Sequence, residues 1–172
     1  MDVQVRSSPA ADAAARPRVV VLVNPRAGTG IGGELSTGAQ LAGFELDVVV
    51  LRASTADALA RRARAEIARG VDALVVQGGD GMVHLGVGLV AGTAVPLGIV
   101  PTGSGNDFAR AAGIPRRDPG RAVESIVRAL RDPAAGVRRV DAMRVTVEGR
   151  TVWAANSVNI GFDSVVNRRA NE

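Results

Sequence analysis

The sequence predicts an α/β protein built on an open, mostly parallel β-sheet with helices on both faces, giving three layers. Three observations support this fold class. Short apolar runs alternate with helical patterns between residue 18 and about residue 136. The apolar runs are continuous and rich in β-branched residues, which is typical of parallel strands buried on both faces. Glycine-rich loops follow three of these runs, as expected where a strand leads into a helix.

The first elements alternate strand and helix twice. The run at 18–23 (RVVVLV) predicts a fully buried strand, and 35–41 predicts a short helix that its glycines disfavour. A second strand is predicted at 44–51 (FELDVVVL). Thr55 lies in the start signal of a helix that ends at Gly70.

Two glycines interrupt the next predicted helix. A third strand at 73–77 precedes helical spacing at 82–90, and a fourth strand is predicted at 97–100. Gly86 and Gly88 each cost the helix about 1 kcal/mol relative to alanine. Glycines at such positions usually mark close packing, so we expect them to lie against a neighbouring element.

Two more helices complete the α/β region. One is predicted from Asp107 to about Gly113. The other begins at the Asp118–Pro119 pair, a good N-cap followed by proline in the first turn, and stops at Asp132.

The pattern changes after Gly136. Alternating residues at 143–147 and 150–155, separated by Glu-Gly, predict a β-hairpin. The predicted organisation is a disordered tail at 1–16, an α/β lobe at 17–136 and the beginning of a β-rich second lobe at 137–172.

Composition excludes several kinds of chemistry. All 21 basic residues are Arg, and the chain has no Cys and a single His. A Walker-type phosphate loop and a protein-kinase site both require Lys, as does Schiff-base chemistry, and a Cys/His zinc site needs more ligands. Phosphates would therefore be bound by backbone amides, hydroxyls, Arg and a metal ion.

Charge and apolar patterning bear on partners. The net charge of +4 is compatible with nucleic acid or an anionic membrane, but the Arg residues are scattered and the aromatic residues are too few to stack bases. We therefore expect no nucleic acid partner. No run approaches the length of a membrane span, and the first 16 residues lack the apolar core of a secretion signal, which predicts a cytoplasmic protein.

Three glycine-rich loops are the main functional signal: NPRAGTG at 24–30, GGDG at 78–81 and PTGSGND at 101–107. Ligands of open α/β sheets bind beyond the carboxyl ends of the strands, where glycine amides and helix N-termini approach phosphates. Asp80 stands among the glycines, where a carboxylate can hold a metal or accept a proton. Each loop alone is compatible with simple turn geometry. Asn106–Asp107 is also compatible with a plain helix N-cap, and His84 is compatible with a surface position. Their combination predicts nucleotide or phosphate binding.

The motifs also carry a resemblance. NPRAGTG, QGGDGM, VPTGSGNDFARAAGIP and NIGFDSVVNRRAN resemble the diacylglycerol kinase catalytic-domain family, which includes bacterial lipid kinases and the sphingosine and ceramide kinases. The likeness runs from Val19 to the last residues. GGDG alone also occurs in NAD kinases and phosphofructokinases, whereas PTGSGNDFAR separates this chain from an NAD kinase.

The resemblance implies a function. It implies ATP-dependent transfer of a γ-phosphoryl group to a lipid hydroxyl such as that of diacylglycerol, with Mg²⁺ as cofactor. It places the lipid substrate at a membrane surface, with peripheral contact at the inner membrane face, and is compatible with a homodimer. Asp80 is the implied catalytic and metal-binding residue, and Asp163 is implied to contact the substrate.

The resemblance also implies a set of nucleotide contacts. Ser104 stands where many members have Thr, Met82 replaces a frequent Thr, and His84 replaces a frequent Asn. The implied cofactor-binding residues are Asn24, Pro25, Arg26, Ala27, Gly28, Thr55, Gly78, Gly79, Asp80, Gly81, Met82, His84, Ser104, Asn106 and Asp107.

Length is the largest departure from the family. Family members continue into a β-rich lobe that supplies a further carboxylate as general base and structural metal ligands, whereas this chain stops at Glu172. We therefore expect a truncated product or the nucleotide lobe alone, with weak ATP binding and little or no kinase activity. The alternatives are a non-catalytic nucleotide-binding fragment and an NAD-kinase-type small-molecule kinase.

Overall fold

The computed structural model describes residues 16–23 and 33–155. Strands and helices alternate along the α/β region, and a hairpin follows it. The elements are β1 (Arg18–Val23), α1 (Gly33–Ala42), β2 (Asp47–Arg52), α2 (Ala56–Ala68), β3 (Ala73–Gly78), α3 (Asp80–Val90), β4 (Leu97–Pro101), α4 (Asp107–Ala111), α5 (Pro119–Arg131), α6 (Pro133–Gly136), β5 (Met143–Val147) and β6 (Arg150–Ala154).

Strands β1 to β4 form one parallel sheet in the order β2-β1-β3-β4. Val21 of β1 lies opposite Val50 of β2 on one side and Val75 of β3 on the other. The chain leaves β1 toward β2 and later returns past β1 to β3, so the strand order reverses between β1 and β3. Such a switch point is where ligands of open α/β sheets bind.

Helices cover both faces of the sheet. Alternate residues of β1 enter two separate cores: Val21 packs with α1 and α5, whereas Leu22 packs with α2 and α3. Five of the six β1 residues are buried, as the continuous apolar run predicts. The three-layer α/β prediction is confirmed.

Several boundaries differ from those expected. Strand β2 begins at Asp47 rather than at 44, because a turn with Glu45 in the left-handed region (φ 61°) follows α1. Helix α3 begins two residues early, at Asp80, because the extended Gly79 precedes it. The unpredicted helix α6 has the same start signal as α5, an Asp side chain accepting from a backbone amide followed by Pro.

The two helical glycines have different environments. A Cβ on Gly86 would lie 2.7 Å from Leu97 Cδ1, so this glycine does permit close packing of α3 on β4. A Cβ on Gly88 would have no atom within 4 Å. The packing expectation is therefore confirmed for Gly86 and wrong for Gly88.

The predicted hairpin is present as an antiparallel pair, β5 with β6. Trp153 of β6 packs beside the core that α3 shares with the sheet. Val147 and Val152 are 61% and 49% exposed on the other face of the hairpin. Among the residues that the structure describes, no helix is both long and apolar enough to cross a bilayer.

Candidate functional site

The carboxyl ends of β3 and β4 lie side by side, and the loops that follow them are in direct contact. Gly78 pairs with Pro101 at the last position of the two strands. The amide of Thr102 then donates to the carbonyl oxygen of Gly78 at 3.0 Å. The GGDG and PTGSGND loops are therefore joined from their first residues.

Two glycines allow the backbones of these loops to touch. A Cβ on Gly103 would lie 2.5 Å from the Cα of Gly79 and 3.0 Å from its amide nitrogen. Any side chain at Gly103 would displace the backbone of the other loop, since there is no flexible atom to move aside. Glycine is therefore required here by the close approach, not by turn conformation.

Asn106 fixes the PTGSGND loop from within. It is 7% exposed and adopts the left-handed conformation (φ 54°, ψ 44°), which Asn tolerates better than most residues. Its Oδ1 accepts from the amide of Gly103 at 3.1 Å, and its Nδ2 donates to the carbonyl oxygen of Gly103 at 2.6 Å. Both ends of the side-chain amide thus bind the same residue.

Asp80 connects the start of α3 to the start of α4. Its Oδ2 accepts from the amide of Asp107 at 3.1 Å, and its Oδ1 accepts from the amide of Phe108 at 3.0 Å. Asp80 is half-buried, and it is the first residue of α3. One carboxylate therefore ties two helix N-termini together.

A second carboxylate lies close by. The position that a Cβ of Gly105 would take is 3.2 Å from Asp80 Oδ2 and 3.8 Å from Asp107 Oδ2. Asp107 Oδ1 also pairs with Arg110 Nη2 at 2.6 Å, in an exposed i,i+3 ion pair. The two carboxylates thus flank one glycine that has no side chain to separate them.

The region where the GGDG and PTGSGND loops meet also contains backbone amides that could bind an anion. The amides of Met82 and Val83 donate to the Gly79 carbonyl oxygen at 2.9 and 3.2 Å, whereas those of Asp80 and Gly81, the first two residues of α3, have no acceptor within the helix. The helix dipole places partial positive charge at these amides. Ser104 and Gly105 are exposed beside them. Exposed glycine amides and a helix N-terminus are the usual surroundings of a bound phosphate.

The donor set fits Mg²⁺ only in part. Hard cations prefer carboxylate oxygens, and Mg²⁺ usually takes one or two of them together with substrate phosphates and water. Asp80 and Asp107 each keep acceptor capacity beyond the bonds described above. Within residues 16–23 and 33–155, no group of three or more His, Cys, Asp or Glu residues could hold a metal. A cation here would therefore need ligands beyond these two carboxylates.

The structure brings together most of the residues expected from the two loops. Gly78, Gly79, Asp80, Gly81, Ser104, Asn106 and Asp107 belong to this cluster. Met82 instead packs into the core beneath α3, and His84 is exposed on that helix. Thr55 Oγ1 accepts from the amide of Ala58 and caps α2. Five expected residues of the β1–α1 loop, together with Asp163, lie outside the described residues: Asn24, Pro25, Arg26, Ala27 and Gly28.

Sequence reasoning missed individual residues of the PTGSGND loop. Gly103 lies against the backbone of Gly79, and Gly105 lies against the side chain of Asp80. The glycines of the PTGSGND motif could have indicated both positions. The hydroxyl of Thr102 is buried and has no hydrogen-bond partner among the described residues. No local sequence pattern indicated this position.

Comparison with known proteins identifies the relatives of the chain. Residues 18–139 match the diacylglycerol kinase catalytic domain. A diacylglycerol kinase of Mycobacterium tuberculosis is 36% identical over 157 residues, which is 90% of this chain and 49% of that protein. A probable lipid kinase YegS-like of Stenotrophomonas maltophilia is 37% identical over 131 residues, covering 72% of this chain and 39% of the relative.

A solved structure agrees with these sequence matches. The crystal structure of a diacylglycerol kinase from Bacillus anthracis superposes with a TM-score of 0.58 at 28% identity, covering 78% of this chain and 47% of that one. The chain spans about half the length of the first of these relatives.

Proposed function

Since the chain belongs to the diacylglycerol kinase catalytic-domain family, we propose that it binds ATP and serves the transfer of its γ-phosphoryl group to a lipid hydroxyl such as that of diacylglycerol. Residues 17–136 would form the nucleotide-binding lobe, and residues 137–172 would begin a second lobe. The names of the relatives, diacylglycerol kinase and probable lipid kinase, support the reaction class.

The observation that carries the proposal is the contact between the two glycine-rich loops. Gly79 and Gly103 bring the loops together beside the N-terminus of α3, where amides lie at the surface. Phosphoryl transfer depends mainly on positioning and on stabilising charge, and this corner offers backbone donors for both. The absence of Lys is no obstacle to such a site.

The two carboxylates suit the cation that usually accompanies ATP. Mg²⁺ would neutralise phosphate charge, and Asp80 and Asp107 would hold it. We propose that Asp80 also helps to accept the proton of the attacking hydroxyl. Removing its charge in Asp80→Asn should then reduce the transfer rate by about 100-fold or more, and a rate within a few-fold of the original would contradict this role.

The remaining contacts belong to the proposal as well. Asn24, Arg26 and Gly28 would contact the phosphates, with Arg26 as the cation that Lys supplies elsewhere. Asp163 would contact the lipid head group. The lipid would be reached at a membrane surface by peripheral contact.

Binding and turnover are best tested separately. Calorimetric titration of ATP into the 172-residue chain, with and without Mg²⁺, should show binding that Gly103→Ala weakens at least tenfold. Gly88→Ala is the control, because a Cβ there meets no atom. Failure of the unmodified chain to bind ATP would contradict the proposal.

Turnover is tested with labelled ATP and lipids in mixed micelles. Where the second lobe is complete, diacylglycerol should be phosphorylated in preference to sphingosine, and NAD should not react. ATP binding without phosphorylation of either lipid would favour the alternative, a nucleotide-binding module without turnover of its own.

A further inference from the structure

Helix α4 has no N-terminal cap of its own. It contains five residues, so it is too short to be stable without tertiary contacts. Asn106 occupies the capping position, but it adopts the left-handed conformation and makes no side-chain bond to the helix. Both polar groups of its side chain bind Gly103 instead. The first amides of α4 therefore need an acceptor from elsewhere.

We propose that Asp80 is a positioning residue that supplies this cap and so holds the PTGSGND loop against the start of α3. Its two oxygens accept from the amides of Asp107 and Phe108, which are 27 and 28 residues away in sequence. Charged acceptors make stronger hydrogen bonds to backbone amides than neutral ones. The effect on phosphate binding rests on the proposed function, whereas the cap itself does not.

The contact between Asp80 and α4 would also position the backbone amides proposed to bind phosphate, which lie at the start of α3 and in the PTGSGND loop. Asp80 is the first residue of α3, and α4 begins directly after Ser104 and Gly105. Fixing the start of α4 to Asp80 therefore sets the distance between the donors of the two loops. Gly105 leaves the room, because a Cβ there would lie 3.2 Å from Asp80 Oδ2. Donors that are already placed bind a ligand without an ordering cost.

The cap is tested by amide hydrogen exchange in the 172-residue chain without nucleotide or metal. Asp80→Ala should speed exchange of the Asp107 and Phe108 amides about five- to tenfold, the usual size of a lost cap. Asp80→Asn retains one oxygen acceptor and should give an intermediate rate. Asp118→Ala is the matched control, because Asp118 caps α5 through the amide of Arg121 and should affect α5 alone.

The positioning effect is tested by ADP affinity in EDTA. Asp80→Asn and Asp80→Ala carry the same charge, so a difference between them comes from the side-chain amide, which includes the hydrogen bond that its oxygen retains, and not from charge. Under the proposal, the Asn variant binds ADP about threefold or more tightly than the Ala variant without any metal. A residue that acted only through Mg²⁺ would give equal affinities in EDTA, and removal of its negative charge would tighten ADP binding in both variants.

The outcomes separate the two proposals. Unchanged exchange at Asp107 and Phe108 in Asp80→Ala would overturn the cap. Equal ADP affinities of the two variants would overturn the positioning role. Failure of the unmodified chain to bind ADP would overturn the proposed function and the effect on phosphate, but the exchange result would still decide the cap. If the Ala variant does not fold, a scalar coupling across the hydrogen bond from Asp80 Cγ to either amide nitrogen in the unmodified chain should be present, and its absence would overturn the cap.

Discussion

The amino and carboxyl edges of the parallel sheet both carry carboxylates, but Asp80 at the carboxyl edge has partners of a different kind from those at the amino edge. At the amino edge, the Arg18 guanidinium pairs with Glu66 Oε2 at 2.6 Å and with Asp47 Oδ2 at 3.5 Å. Arg69 pairs with the other oxygen of Glu66 at 2.9 Å. At the carboxyl edge, Asp80 is bound by two neutral backbone amides.

Charged side chains at the amino edge stabilise the fold by pairing with one another, whereas the charge of Asp80 at the carboxyl edge remains available to a ligand. Opposite charges at the amino edge neutralise one another, so this edge has little attraction left for a ligand. Amides orient the Asp80 carboxylate without cancelling its charge, which leaves it able to attract a cation. Glycines at the carboxyl edge add close backbone contact, whereas long side chains pack at the amino edge. We therefore expect changes at the carboxyl edge to alter ligand binding and changes at the amino edge to alter stability alone.

Gly103→Ala should be the most damaging single change. Its Cβ would lie 2.5 Å from the Cα of Gly79, so one of the two loops must move. We expect the free energy of unfolding, measured by urea denaturation, to fall by about 3 kcal/mol. ADP affinity, measured by calorimetry, should fall with it. A loss below about 0.5 kcal/mol would mean that the loops are not tightly packed in solution.

Asn106→Asp should have the second-largest effect. The substitution replaces the Nδ2 donor with an oxygen that faces the carbonyl oxygen of Gly103, 2.6 Å away in the original contact. We expect a loss of about 2 kcal/mol in urea denaturation and weaker ADP binding, because an unmatched buried acceptor is costly. Asn106→Gly keeps the backbone free to adopt the left-handed conformation and should be milder. Losses below about 0.5 kcal/mol in both variants would show that the side-chain contact with Gly103 is unimportant.

The sequence predicted more of the fold than of the site, for physical reasons. Strands such as RVVVLV follow from local apolar pattern, and α5 follows from its Asp-Pro start, so both were predicted closely. The cap of α4 comes from Asp80, and no local pattern indicates an acceptor 27 residues away. The Asn106–Asp107 pair is compatible with a plain N-cap by sequence, whereas the Asn106 side chain binds Gly103 in the structure.

Contact of Met82 and His84 with a nucleotide stays a prediction, and the structure gives these two side chains different surroundings. Met82 and His84 lie close in sequence to Asp80, and the family resemblance placed both at the site. Met82 is two residues after Asp80 and packs in the core. His84 is four residues after Asp80, so it is exposed on the same side of α3 as Asp80.

Glu66→Gln tests the amino edge. The variant keeps the shape of the side chain but loses the charge that pairs with Arg18 and Arg69. We expect a loss of about 1 kcal/mol in urea denaturation, because the pair with Arg18 is partly buried, and an ADP affinity within twofold of the original. Arg69→Gln removes only the more exposed pair and should cost about 0.3 kcal/mol. A clear loss of ADP affinity in Glu66→Gln would contradict the division of roles between the two edges.

Gly88→Ala should have a small effect, and its sign is favourable. Gly88 is exposed within α3 and a Cβ there meets no atom, so alanine should stabilise the protein by about 0.5 kcal/mol through helix propensity. Gly86→Ala should be destabilising, because its Cβ would meet Leu97 Cδ1 at 2.7 Å. ADP affinity should not change in Gly88→Ala, since neither loop is touched. If greater stability of α3 alone tightened ADP binding, helix order rather than contact between the loops would govern the carboxyl edge.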